Sequence, residues 1–186
     1  MEHTQKSNDM QNAEHTQMSV PVESKTLPRR FLIINGPNLN MLGIREPQHY
    51  GNMTYAQLVE RIRAYASSHG VIATFFQSNI EGELVDAIQS CCFGRCDGIV
   101  INPGAYTHTS IALLDALRAV GLPAVEVHIS DVDHREEFRK ISYVRAACIK
   151  TISGKGTDGY LLALIECLDG DKDGKTSEPD QPASGK

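Results

Sequence analysis

The sequence predicts an α/β domain, a parallel sheet with helices packed on both faces. Short continuous apolar runs recur, as at residues 31–34 (FLII) and 98–101 (GIVI). Such runs suit strands covered on both sides. Between them lie stretches with apolar residues at helical spacing, such as Leu58, Ile62 and Tyr65. Strand and helix then alternate through the chain, which with right-handed crossovers gives a doubly wound, three-layer α/β/α domain.

The elements follow in order. Residues 31–34 form the first strand. Thr54 and Gln57 read as a capping box that opens the first helix, and Gly70 suits its stop. Residues 71–76 are the second strand. Leu84, Val85, Ile88 and Cys92 share helical spacing on the second helix. The third strand is 98–101. Ile111, Leu114, Leu117 and Val120 lie near one face of a third helix, stopped by Gly121. Residues 123–127 and 148–152 are the fourth and fifth strands, and 160–168 the last helix.

The ends of the 186-residue chain differ from its middle. Residues 1–27 are polar without apolar periodicity, and 169–186 are polar and rich in Gly and Pro. Both read as disordered tails flanking one folded domain, 28–168. DGDKDGKTSEPD (169–180) loosely resembles a calcium loop, but no apolar flanking helix follows. No apolar run approaches the ~18–20 residues of a membrane span, and the N-terminus has no apolar signal region. The expectation is a cytoplasmic protein without a membrane partner. Five cysteines in that setting do not read as a disulfide framework. The net charge is −5, but the two ends hold nine acidic and five basic residues against fourteen and thirteen in 28–168. The acidic balance is therefore mostly tail and does not argue against an anionic ligand. No basic stripe offers itself to nucleic acid.

Open α/β sheets bind ligands beyond the carboxyl ends of their strands. The segments that follow each strand are therefore the candidates. The connection after strand one runs about eighteen residues from Asn35 and includes Asn38, Arg45 and Tyr50. A plain βα loop has ~2–6, and a longer one is often a lid or binding loop. A lone Arg or Tyr there is equally a surface side chain or a group that reaches into a site. After strand two, Gln77-Ser78-Asn79 reads mainly as helix capping. After strand three come Asn102, Gly104 and His108. After strand four, Glu126 and His128 lie two apart and so face the same way. A carboxylate beside a histidine raises the imidazole's basicity and fixes its tautomer. A buried structural pair and a catalytic pair both fit that spacing.

Other chemistries are weaker. Cys91, Cys92 and Cys96 have neither CxxC nor zinc spacing, and Cys92 falls on an apolar helical face. His128, Asp131, Asp133 and His134 are metal-ligand types without a fixed ligand spacing. No GxGxxG or GxxxxGK[ST] is present, which argues against nucleotide cofactors. Asn52-Met53-Thr54 fits a glycosylation sequon with no export to use it. Asn, Arg, Tyr, His and Glu at the strand ends suit proton transfer without a cofactor: a base, an acid, and donors to a developing oxyanion.

Five blocks carry a resemblance: INGPNLNMLGIREPQHYG (34–51), QSNIEGELVDAI (77–88), INPGAYTHTSIALLDAL (101–117), EVHISDVDHREEFRKISY (126–143) and ISGKGTDGYLLAL (152–164). Over 31–168 the chain resembles the type II 3-dehydroquinate dehydratases. The resemblance implies a flavodoxin-like fold with five parallel strands in the order 2-1-3-4-5. It implies reversible anti elimination of water from 3-dehydroquinate through an enolate, giving 3-dehydroshikimate without metal, cofactor or Schiff base. That reaction serves the shikimate pathway to chorismate and aromatic amino acids, or quinate breakdown. Tyr50 matches the base, Arg45 the cation that favours its phenolate, Asn38 the enolate stabiliser, His128 the acid and Glu126 its orienting partner.

Asn102, His108 and Arg139 match residues that bind the ring hydroxyls. Ile129 and Ser130 match the carboxylate cradle, and Gly104 a close backbone approach. Asp115 matches a residue supplied across a contact between subunits, which the family arranges as trimers in a dodecamer. Ile80, Leu114, Asp131, Asp133, Ile141 and Arg145 depart from the family pattern around, not within, this set. The alternatives are a catalytically degenerate homologue and a flavodoxin-like binding module. The Asn38, Arg45, Tyr50 and His128 set separates them, since a binding module has no need of it.

Overall fold

Alternate residues of the first strand, β1 (Arg30–Asn35), serve two different cores. Phe31 and Ile33 join one buried cluster, Leu32 and Ile34 the other. The period of two that puts successive side chains on opposite faces makes this unavoidable once both faces are covered. The computed structural model describes residues 27–44 and 52–170. The expectations for 1–26, 45–51 and 171–186 lie outside the described residues.

The other strands are β2 (Ile72–Gln77), β3 (Gly98–Asn102), β4 (Ala124–His128) and β5 (Lys150–Ser153). All pair in parallel, in the order β2-β1-β3-β4-β5. The expected topology is the one observed. The helices are α1 (Tyr55–Ser68), α2 (Glu81–Gln89), α3 (Ile111–Val120) and α4 (Asp158–Gly170). Leu58 and Ile62 of α1 pack with Tyr160, Ala163 and Leu164 of α4 on one sheet face. Leu84 and Ile88 of α2 pack with Leu113 and Leu117 of α3 on the other. Among the described residues no helix is long and apolar enough to cross a membrane.

Local signals act as their chemistry requires. Thr54 and Gln57 close both bonds of the capping box on α1. Ser110 caps α3 by accepting from the Leu113 N–H. Gly121 ends α3 at φ 63, a left-handed conformation that a side chain resists.

Three expectations need correction. Of the neighbouring pair, Cys91 rather than Cys92 is buried in the core, because α2 ends at Gln89 and the chain turns before helical spacing can carry Cys92 inward. Ile111 is 56% exposed, since the Ser110 cap centres the buried stripe of α3 on Leu113, Ala116 and Leu117. β5 starts at Lys150 rather than 148, because a 3-10 turn over Val144–Ala147 still holds the Cys148 N–H on the Arg145 carbonyl.

One sheet face ends in a buried polar knot. Asn35 of β1 and Asn102 of β3 are register partners across the sheet. The fully buried Tyr160 hydroxyl on α4 donates to Asn35 Oδ1 at 2.6 Å and accepts from Asn102 Nδ2 at 3.0 Å. Burial pushes the Tyr160 pKa up, so the hydroxyl stays protonated. Asn102 Oδ1 accepts in turn from the Gly104 N–H at 3.2 Å. Tyr160→Phe would strand one acceptor and one donor in the core. It is expected to lower the unfolding free energy by about 1–3 kcal/mol in urea titration. Stability equal to the parent's would show that the knot contributes nothing.

Candidate active site

The chain leaves β1 toward α1 on one face of the sheet and leaves β3 toward α3 on the other. β1 and β3 are neighbours, so their outgoing loops diverge and leave a crevice between them. Two tight contacts hold the crevice's base. A Cβ on Gly36 would lie 2.3 Å from the Pro103 carbonyl oxygen. The Gly36 N–H donates to the Asn102 carbonyl at 2.8 Å, so the two loops touch backbone to backbone. A cavity of about 120 Å³ opens above. Asn38, Leu39 and Met41 line it from the β1 loop, Asn102, Gly104 and His108 from the β3 loop. His128, Ile129, Ser130, Arg135 and Arg139 line it from the segment at and after the end of β4.

The cavity floor carries a buried acid–base pair. His128 Nε2 stands 2.9 Å from Glu126 Oε1, with His128 5% exposed and Glu126 fully buried. The Ser142 hydroxyl donates to Oε1 at 2.7 Å, and Thr151, the register partner of Glu126 on β5, donates to Oε2 at 3.0 Å. Arg145 Nε lies 3.8 Å from the same oxygen. Burial alone would raise the Glu126 pKa. The hydrogen bond and charge of His128, with the two hydroxyls, outweigh it and hold the carboxyl below the usual carboxylate range. An ionised carboxylate only accepts, so Nε2 carries a proton and Nδ1 is the nitrogen left for a ligand. On the other wall, His108 Nδ1 stands 2.7 Å from the Ile141 carbonyl. A carbonyl only accepts, so Nδ1 donates there and Nε2 is left for a ligand.

The turn after His128 is shaped for an anion. The carbonyls of His128 and Ile129 accept from the Gly154 and Gly156 N–H groups, at 3.2 and 3.0 Å. A trans peptide points its N–H opposite to its carbonyl. The N–H groups of Ile129 and Ser130 are thereby aimed away from the β5 loop. Successive backbone donors aimed together make an anion cradle.

Of the residues expected at the site, Asn38, Asn102, Gly104, His108, His128, Ile129, Ser130 and Arg139 meet at this one cavity. Glu126 sits directly behind His128. Asp115 is exposed on α3 and does not line the cavity of its own chain. Arg45 and Tyr50 lie outside the described residues. The sequence reading did not include Arg135, which four-residue spacing from Arg139 could have flagged. It also did not include Tyr160, Ser142 and Thr151, which are far in sequence from what they support. The metal-ligand types after β4 separate. His128 is bonded to Glu126, while the exposed His134 pairs with Asp131 at 2.7 Å. Among the described residues no group of three His, Cys, Asp or Glu side chains could hold a metal.

Because folding lowers the Glu126 pKa, the stabilisation is present above the unfolded value of about 4.3 and is lost as pH falls through the folded value. Unfolding free energy is therefore expected to fall as pH drops below about 4.3. The fall should be shallower in Glu126→Gln, measured by urea unfolding at stepped pH. Identical acid-side slopes would contradict the ionised, bonded state of Glu126.

Comparison with known proteins identifies the family. The model of the dehydroquinase class II family matches residues 29–168. The chain is 52% identical over 136 residues to a 3-dehydroquinate dehydratase of Sulfurimonas denitrificans, covering 73% of this chain and 84% of that protein. It is 54% identical over 139 residues to one of Aliarcobacter butzleri, covering 75% and 84%. The crystal structure of type II dehydroquinase from Butyrivibrio crossotus superposes with a TM-score of 0.75 at 48% identity, over 76% of this chain and 98% of that one. The chain belongs to the class II dehydroquinase family.

Proposed function

We propose that this protein is a hydro-lyase that dehydrates 3-dehydroquinate reversibly to 3-dehydroshikimate, by anti elimination through an enolate. The observation that carries the reading is the buried Glu126–His128 pair beneath a cavity lined by Asn38, His108 and Arg139, in a chain of this family. The proton at C2 is alpha to the ketone, so its removal gives a resonance-stabilised enolate. Tyr50 takes that proton. Arg45, five residues before it, favours the phenolate of a group whose ordinary pKa is ~10. Asn38 donates to the enolate oxygen, in part through an ordered water. His128 hands a proton to the departing C1 hydroxyl through the nitrogen that Glu126 leaves open. Glu126 stabilises the protonated imidazole and keeps its ring fixed.

Binding follows from the same walls. Asn102, His108 and Arg139 hold the ring hydroxyls. The Ile129 and Ser130 N–H groups, with the Ser130 side chain, hold the carboxylate. Gly104 lets backbone approach the ring. The reading needs no metal, organic cofactor or lysine adduct. It extends to a cytoplasmic assembly of trimers in a dodecamer, in which Asp115 reaches the site of a neighbouring copy. It places the enzyme in the shikimate pathway or in quinate breakdown, which share the reaction.

The purified chain mixed with 3-dehydroquinate is expected to give a rising enone absorbance. EDTA should leave the rate unchanged, and enzyme treated with borohydride in the presence of substrate, then freed of both, should keep its activity. No rise, or inactivation by borohydride in the presence of substrate, would overturn the proposal.

A further inference from the structure

Asn38 sits at φ 66, ψ −1, in the left-handed region that side chains rarely occupy. Asparagine tolerates it better than most, but a restraint is still needed to keep it there. That restraint comes from 41 residues further along the chain. The Asn38 N–H donates to Asn79 Oδ1 at 2.9 Å. The same Oδ1 accepts from Gln77 Nε2 at 3.3 Å, and Gln77 Nε2 also reaches the Gly36 carbonyl at 3.3 Å. On its other side the Asn79 carbonyl accepts from the Tyr106 hydroxyl at 2.9 Å. Asn79 therefore joins the loops after β1, β2 and β3 where they diverge. The expected capping of α2 is not made: its N-cap, Ile80, has no side-chain cap bond, and Ser78 Oγ accepts only from the Ile80 N–H, at 2.9 Å.

We infer that Asn79 is a positioning residue, fixing the left-handed backbone of Asn38 so that the Asn38 side chain is set for the developing oxyanion before substrate arrives. Asn79 does not line the cavity and acts only through Asn38. The inference rests on the role proposed above for Asn38. An oxyanion donor works by being in place before charge develops, so loosening it costs turnover more than substrate binding.

The test compares kcat and KM for Asn79→Ala, Asn79→Asp, Asn38→Ala and the Asn38→Ala/Asn79→Ala pair, each checked for folding by circular dichroism. Asn79→Ala is expected to lower kcat about tenfold, with KM within about twofold. Asn79→Asp, whose carboxylate accepts the same bond, should restore kcat to within about twofold of the parent. Asn79→Ala should cost nothing further once Asn38 is alanine. Asn79→Leu, similar in size but without an acceptor, carries the same test if the truncated variant folds poorly. Parental kcat in Asn79→Ala or Asn79→Leu, beside a lowered kcat in Asn38→Ala, would overturn the positioning role alone. So would losses that multiply in the double variant. Parental kcat in Asn38→Ala would overturn the role of Asn38, and the inference with it.

Discussion

A carboxylate with no solvent exposure must be neutralised, protonated or fully bonded, and Glu126 takes the last course. Its bonds to His128, Ser142 and Thr151 join β4, β5 and the segment between them into one unit. Breaking such a set by removing one partner leaves a buried charge uncompensated, which costs far more than the bonds contribute when all are made. The requirement that stabilises this corner also dictates the chemistry. An ionised Glu126 leaves His128 one tautomer and one free nitrogen at the end of a strand that opens on the cavity. Arg145 adds a cation near the same carboxylate, which supports the pair.

The opposite sheet face is handled with neutral groups. Asn35, Asn102 and Tyr160 bond to one another without a formal charge, leaving the buried Asn35 Nδ2 without a partner among the described residues, and Asn102 passes the order on to Gly104 in the cavity wall. One end of the sheet thus carries a charged network under one wall and a neutral network under the other. The divergence of the β1 and β3 loops brings both to a single crevice. The close passage of Gly36 against Pro103 keeps that crevice narrow. Position in the topology and buried polar bonding together place side chains drawn from three loops around one small cavity.

Much of this was legible in the sequence, and the reasons are local. Continuous apolar runs marked strands covered on both faces. Thr54 with Gln57 marked a helix start, and Glu126 two residues before His128 marked a shared facing. The strand order came from the resemblance to a family rather than from periodicity. What was not legible depends on contacts between distant segments. Ser142 and Thr151 look like ordinary polar residues until β4 and β5 pair. Tyr160 looks like a plain apolar helix position until it meets Asn35 across the core. Asn79 reads as a cap because a cap is the local use of an asparagine before a helix. Cys92 was misplaced for the opposite reason: helical spacing was carried past the point where α2 ends.

The central claim is that acid and base act from opposite sides of the substrate ring, with His128 protonating the leaving hydroxyl. The direct measurement uses 3-dehydroquinate labelled with deuterium at one C2 position at a time, with products read by mass spectrometry. The account predicts loss of the label that lies anti to the C1 hydroxyl and retention of the other. Loss of the syn label would contradict it.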